Sequence, residues 1–474
     1  MFSFVATDIL RLVYPDHVPH HRVELPKHGR PHTTTIPPAA CWKRRRFDIN
    51  NQVAKETVLF NPEVHTPLRV ASLRATMLAV ALATGTGLAY AADPPKEEEV
   101  PFWAIGKPKN DVGAKLAPVP SFPIATPADQ LPVAKFKLPP GFKAEVWASN
   151  ILDARGMRQG DKGTVFVSSL FVAGKVYAVV DKGGKREVKT IAEKLFLPNG
   201  IEFNKGSLYV ATPKDITRYD NIEDKLDNPP APVMVYDKLP GEVPHGWKFI
   251  KIGPDGKLYV PVGAPCNICE RDDKHMQIRR MNLDGSGEEI VALGVRNTVG
   301  FDFDPKTGDL WYTNNGRDWL SEDLPNDTLN HVSKTGNKDF GYPYCHQGNM
   351  ADPEFGWGKN CADYAQPALM TGPHAGTLGM RFYTGKMFPA KYQGAIFIAR
   401  HGSWNRTKIF GGDIIAAWPD GKGGISKMEP FLTGFVENNA YLGRPVDVLV
   451  LKDGSMLVSD DHAGAIYRIS YSGS

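Results

Sequence analysis

Residues 244–263 read "PHGWKFIKIGPDGKLYVPVG": a histidine and a tryptophan run into an alternating strand, a Pro-Asp-Gly turn and a second apolar strand. A glycine turn between two runs of period two is the mark of a β-hairpin. The same unit recurs as "DKGTVFVSS" at Gly163, "NKGSLYVAT" at Gly206, "PDGKLYVPV" at Gly256, "KTGDLWYTN" at Gly308, "YQGAIFIAR" at Gly394 and "KDGSMLVSD" at Gly454. Most copies lead into a further strand and turn, as in "GKVYAVVDKGG", "QIRRMNLDGSG" and "GDIIAAWPDGKGG". The first four glycines are 43, 50 and 52 residues apart, which is the length of one four-stranded propeller blade. Six units therefore predict an all-β fold, a six-bladed β-propeller. A sandwich of hairpins is the alternative, but it does not usually repeat one strand-turn-strand unit along the chain.

The 86-residue interval from Gly308 to Gly394 breaks the period and holds "SEDLPNDTLNHV", "DFGYPYCHQGNM" and "FGWGKNCADYAQP". It is expected to be an aromatic, cysteine-stapled insertion at about 321–373, forming loops over one face. At the other end, "LPPGFKAEVWASN" is a strand that can pair with the C-terminal "AIYRISYS" and close the ring, leaving no edge. The propeller is thus expected over 136–474, preceded by an extended Pro- and Lys-rich segment at 92–135.

The first ninety residues differ in kind: they are polar, Pro-rich and aperiodic, and predict no fold of their own. Within "LRVASLRATMLAVALATGTGLAYAADPP", Arg69 and Arg74 precede an apolar run from Met77 to Leu88 and then Ala89-Tyr90-Ala91. That order is an export signal over about 69–91, cleaved after Ala91 and too short to span a bilayer. Residues 1–91 are read as a non-structural leader, with 1–68 upstream of the true start; a transit peptide or an N-terminal anchor is the alternative. The reading places the mature chain in the periplasm or outside the cell, with no integral membrane segment.

Removing the leader also removes the basic character. Residues 1–91 hold 11 of the 56 Lys+Arg and 6 of the 52 Asp+Glu, leaving 45 against 46. A near-neutral chain gives no electrostatic case for nucleic acid. Cys41 falls in the leader, while Cys266, Cys269, Cys345 and Cys361 remain. Four cysteines in an exported chain suggest two disulfides, and of three pairings the local one, 266 with 269 and 345 with 361, is the simplest. A metal cluster is the rival. "CNICE" lacks the histidine of a haem-attachment motif.

The first strand of a propeller blade lines the central channel, so the residue before it lies at a channel mouth. Those positions carry Arg155, Asn199, His245, Arg296 with Asn297, His374 and Arg444. Convergent polar side chains at one channel mouth make a binding site. Three arginines and two histidines with hardly a carboxylate imply a multiply anionic ligand. A metal-dependent hydrolase would need carboxylates and amides around a divalent cation.

From Leu138 to Ser474 the chain resembles the soluble pyrroloquinoline-quinone-dependent sugar dehydrogenases, the sorbosone and aldose sugar dehydrogenase group. The motifs that carry this are "HGWKFIKIGPDGKLYVPVG", "GVRNTVGFDFDPKTGDLWYTNNGRD", "HGSWNR" and "GRPVDVLVLKDGSMLVSDDHAGAIYRI", in that order and spacing. The resemblance implies a planar tricarboxylate cofactor, pyrroloquinoline quinone, and a Ca2+ ion. His245 matches the family's base, which takes a proton from a substrate hydroxyl as hydride passes to the quinone. Arg296 and Asn297 match the pair that hydrogen-bonds the ortho-quinone oxygens and stabilises the charge placed there. Gly316 and Arg317 match two residues whose main-chain carbonyls hold the calcium. Arg444 matches an arginine that pairs with a cofactor carboxylate, and Asn199 an amide near the substrate. The family's cofactor-facing lysine has no clear counterpart, and "RHGSWNR" offers His401 and Arg406 in its place. A second family arginine is here Val446, and the residue after the metal-binding glycine is Arg317 rather than proline. Glu322, Asp323 and Asp327 offer a second calcium site or a solvated acidic loop.

The implied activity is oxidation of a sugar or sugar aldehyde, with electrons passed to a separate acceptor, a cytochrome or a quinone. Two other readings are a metal-dependent lactonase-type hydrolase on the same fold and a non-catalytic propeller that binds an anion or a partner.

Overall fold

The strand after each turn glycine is apolar at every position because both of its faces are covered. In Val165–Ser168, Val165 and Val167 pack with the sixth unit of the chain while Phe166 packs with the second. Leu258, Val260 and Val262 turn to the second unit, and Tyr259 to the fourth. Ile396 and Ile398 face the fourth unit while Phe397 and Ala399 face the sixth. Period two combined with apolar residues on both faces produces sheets stacked side by side around an axis.

The structure, a computed structural model, describes residues 116–117 and 120–473. The leader at 1–91, with its export signal, lies outside the described residues, as does most of the 92–119 stretch. Six four-stranded antiparallel sheets follow one another along the chain and form a six-bladed β-propeller. The helical segments among the described residues are single 3-10 turns such as Ala128–Gln130 and Ile222–Asp224. None is long and apolar enough to cross a membrane.

The sixth blade is made from both ends: Phe142–Ala148 pairs with Ala465–Tyr471, from Phe142 opposite Tyr471 to Ala148 opposite Ile466. The closing strand is anchored by Phe142, whose ring meets those of Phe388, Tyr392, Phe431 and Tyr471 at 4.8–5.4 Å. The interval 321–373 is not all loop. It contains the third and fourth strands of blade four, Asn326–Val332 and Leu369–Pro373. The insertion proper lies between those two strands, with a small hairpin, Cys345–His346 and Met350–Ala351, and the Cys345–Cys361 disulfide. The strand was hidden because "NDTLNHV" is mostly polar yet buried, its Thr328 and Asn330 bonded to each other. The second disulfide joins Cys266 to Cys269, so the local pairing is the one present.

Farther along the inner strands, one charged side chain per blade completes a ring of alternating sign: Arg158, Glu202, Lys251, Asp302, Arg381 and Asp447. Arg158 pairs with Glu202 at 3.2 Å, Lys251 with Asp302 at 3.4 Å and Arg381 with Asp447 at 3.2 Å. Each carboxylate also accepts a main-chain N–H of the next blade: Glu202 from Ile252, Asp302 from Phe382, and Asp447 from Met157. Every blade interface is bridged, including the one between the last blade and the first. Phe249 lies beneath both Arg158 and Arg381, 5.0 and 5.1 Å from their guanidinium carbons. The ring fills the channel with paired charge. Val299, Leu378 and Val446 form an apolar layer from blades four to six.

Candidate functional site

A cavity of about 400 Å³ opens at the end of the channel where the inner strands begin. Arg155, His245, Arg296, Asn297, His374, His401, Arg444 and Gly316 line it. Asn199 does not reach the cavity; its Oδ1 accepts the Nε hydrogen of Arg155 at 3.2 Å, so it acts on the wall from behind. The Arg317 side chain turns away to Asp352, 2.7 Å, and Glu354. Arg406 is likewise outside, held by the Glu322 carbonyl and by Asp323 at 3.0 Å. Glu322, Asp323 and Asp327 do not converge: Glu322 bonds Thr407, Asp323 pairs with Arg406, and Asp327 accepts the Gly316 N–H at 2.9 Å. Among the described residues no three His, Cys, Asp or Glu side chains converge as a metal cage.

His245 sits in the left-handed region, at φ +52°. Gly263 makes the close approach workable, since a Cβ there would lie 2.6 Å from the His245 carbonyl and 2.7 Å from its Cβ. Nδ1 of His245 is 2.8 Å from the Ala264 carbonyl. A carbonyl only accepts, so Nδ1 carries the hydrogen and Nε2 keeps its lone pair. Burial holds this imidazole well below its ordinary 6.5, and the nearby Arg296 charge pushes the same way. It is a neutral acceptor at neutral pH. His374 is different: Nε2 donates to the Ser321 carbonyl at 2.7 Å, and Nδ1 faces the Asn405 amide at 3.5 Å. Both of its nitrogens are engaged. In His401, Nε2 donates to Asp461 at 2.8 Å, and burial followed by the Arg444 charge brings its pKa down to about 4.

The expectation of uncompensated cations requires correction. Arg155 pairs with Asp461 at 2.7 Å, and Arg296 with Asp318 at 2.9 Å. Asp318 and Asp327 themselves line the cavity. Asp318 and Asp461 escaped the sequence reading because they come from loops beyond the strands, Asp461 lying 306 residues from Arg155, and the place of Asp327 escaped it because it stands in the polar strand Asn326–Val332. Arg444 is the exception. Its Nε and Nη2 donate to the His401 and Gly402 carbonyls, 3.2 and 2.8 Å away, and no carboxylate among the described residues is within ion-pair distance. Desolvation lowers its pKa from the usual guanidinium value. A half-buried cation that Asp460 and Asp461 influence but do not pair with favours an anion.

Arg296 is 2% exposed and is fixed by Asn267, whose carbonyl and Oδ1 accept from it at 3.0 and 2.9 Å. Asn267 stands inside the Cys266–Cys269 disulfide loop, so the staple sets the arginine. Sequence reading missed Asn267, although its place in "CNIC" was visible. Asn297 donates to the Asn315 Oδ1 at 3.1 Å, while its own Oδ1 is buried with no partner among the described residues. The carbonyl oxygens of Gly316 and Arg317 likewise accept no hydrogen bond from the described residues. These two carbonyls, close in sequence to Asp318 and with Asp327 bonded to the Gly316 N–H, suit a hard cation held by carbonyls and carboxylate.

Fold and cavity together define a closed six-bladed propeller whose cavity, at the channel mouth, brings a neutral imidazole together with arginines, carboxylates and amides. The chain belongs to the TrAA12-like family, whose model matches residues 136–472. The resemblance to pyrroloquinoline-quinone-dependent sugar dehydrogenases drawn from the sequence agrees with this membership. An uncharacterized protein of Borreliella burgdorferi is 32% identical over 352 residues, covering 71% of this chain and 90% of that one. Among solved structures, the calcium structure of the AA12 enzyme of Trichoderma reesei superposes with TM-score 0.62 at 19% identity, over 74% of this chain and 98% of that one. The holo form of the PQQ domain of Coprinopsis cinerea pyranose dehydrogenase gives 0.60 at 17% identity, over 71% and 97%. The PQQ-bound aldose sugar dehydrogenase of Streptomyces coelicolor gives 0.52 at 17%, over 71% and 100%. At these identities the structural likeness is one of fold.

Proposed function

We propose that this protein is a dehydrogenase that oxidises a sugar or sugar aldehyde, using pyrroloquinoline quinone and Ca2+ in the channel-mouth cavity. The observation that carries the reading is His245: a neutral imidazole whose Nε2 has no partner among the described residues, in one cavity with an arginine that no described carboxylate pairs with. The fold neighbours, a pyranose dehydrogenase PQQ domain, a calcium-containing AA12 enzyme and a PQQ-bound aldose sugar dehydrogenase, support it.

Bound quinone supplies the acceptor for a hydride and its electron pair. Arg444 and Arg155 would hold its carboxylates, and Arg296 with Asn297 its ring oxygens. Asp318 already neutralises much of Arg296, which leaves Arg444 as the strongest anion contact. The Gly316 and Arg317 carbonyls, with Asp327 near, would hold Ca2+; the Arg317 side chain is not needed for this. His401, which lines the cavity, stands better than Arg406 where the family has a lysine. His245 Nε2 takes the proton of the substrate hydroxyl as the carbon gives up its hydride, and the Ala264 carbonyl steadies the imidazolium that results. Electrons then pass to a separate acceptor, a cytochrome or a quinone, and the disulfides suit export to the periplasm or beyond.

Purified protein loaded with pyrroloquinoline quinone and Ca2+ is assayed for dye reduction with aldoses and aldehydes, and, with metal alone, for lactone hydrolysis. Dye reduction supports the reading; lactone hydrolysis without quinone replaces it with a hydrolase. Sequencing the N-terminus of secreted protein tests export, a start well before Ala92 contradicting it.

A further inference from the structure

On the His245 side the cavity has an aromatic lip that the cofactor-binding groups do not use. Phe171 is 57% exposed yet lines the cavity, and its ring meets Trp247 edge to face at 4.9 Å. Trp247 is two residues from His245, so the lip and the base are parts of one segment. Because the Phe171 ring is joined to Trp247 rather than standing alone, it belongs to an apolar patch at a cavity mouth, where a ligand surface is expected. Phe171 is also fixed. Asp153, fully buried, accepts with Oδ2 the N–H groups of Leu170 at 2.9 Å and Val172 at 3.0 Å, the two residues flanking Phe171. The segment is hooked in place before any ligand arrives.

We infer that Phe171 and Trp247 form the platform on which the apolar C–H face of a pyranose ring rests, so that its reacting hydroxyl meets His245, with Asp153 as the residue that positions the platform. This rests on the dehydrogenase reading for the choice of which side of the cavity the substrate takes. Arg296, Asn297, Gly316 and Arg444 come from blades four to six, and Arg155 of blade one is tied to Asp461 of blade six, whereas Leu170, Phe171, Pro244, His245 and Trp247 come from blades one and three. A polar ring with one C–H face matches a wall that is aromatic on one flank and carries a proton acceptor beside it. An acyclic aldehyde such as glyceraldehyde has no such face, so the platform selects cyclic sugars.

The test compares F171A with wild type in the holoenzyme, using glyceraldehyde and the best-used of glucose, galactose, xylose and cellobiose. KM for the sugar should rise about ten-fold more than KM for glyceraldehyde, with kcat much less affected, and F171W should restore it. D153A should shift sugar KM in the same direction and add little in the F171A background, because both act through one ring. A rise equal for both substrates, or none, overturns the platform while wild-type turnover leaves the dehydrogenase reading standing. If wild type shows no turnover, that reading falls and binding decides: in quinone-free protein, NMR saturation transfer from aromatic protons to the sugar C–H protons should be present in wild type and lost in F171A. Transfer that is absent in wild type or unchanged in F171A overturns the inference.

Discussion

At the scale of single residues, two histidines at equivalent positions were separated only by their hydrogen bonds. His245 and His374 both precede an inner strand and both adopt positive φ, +52° and +51°. His245 spends one nitrogen on Ala264, whereas His374 spends both. H245Q should therefore still bind quinone but lose about 10²–10⁴-fold in turnover, while H374Q should mainly weaken the wall; equal effects on turnover would contradict the assignment. The proton of His245 gives a second test. Because burial disfavours the charged ring and Arg296 repels it, titration of His245 in the quinone-free protein by NMR should show a midpoint below 6.5. A midpoint at or above that value would mean the imidazole is better solvated, or paired with an acid, than the structure has it. The positions of His245, Arg296, Asn297 and Arg444 were legible in the sequence because a repeat gives register. Their partners were not, since Asp318 and Asp461 reach them from loops whose course no local pattern encodes.

At the scale of elements, the strands that carry an alternating or wholly apolar pattern were readable, and the polar strand Asn326–Val332 was not. Asp327, Thr328 and Asn330 are buried, Asp327 accepting the Gly316 N–H and Asn330 donating to Thr328, so hydrophobic periodicity carries no signal there. The closing strand was readable because Phe142–Ala148 and Ala465–Tyr471 both alternate and sit at opposite ends of the chain. Its strength rests on one aromatic cluster, so F142A should destabilise the protein by about 2–4 kcal/mol in denaturant unfolding; a change under about 0.5 kcal/mol would show that the backbone pairing holds without it. The Cys266–Cys269 loop belongs to the same scale. It encloses few residues and constrains the unfolded chain little, so its main effect is on Asn267 and thereby Arg296. C266S/C269S should weaken quinone binding about ten-fold while leaving the midpoint of thermal unfolding nearly unchanged.

At the scale of the whole molecule, six blades are closed by three devices: apolar contacts between neighbouring sheets, a strand shared by the two ends of the chain, and a ring of alternating charge. The ring is visible only once the blades are in register, since its members lie in six separate strands. Asp447 is 2% exposed and faces both Arg158 and Arg381. D447N should thus cost about 3–5 kcal/mol of stability, because it leaves two buried arginines with too little counter-charge. The ring occupies the inner strands beyond the channel mouth, and what the mouth cavity holds decides the function. The most direct test is to add pyrroloquinoline quinone and Ca2+ to the purified protein, remove the excess and follow both bound quinone absorbance and dye reduction with aldoses. Retained absorbance that is lost in Arg444→Ala, with sugar-dependent dye reduction that is lost in His245→Gln, is the predicted result. Quinone that washes away from the wild-type protein, with no dye reduced by any aldose or aldehyde, would contradict the account.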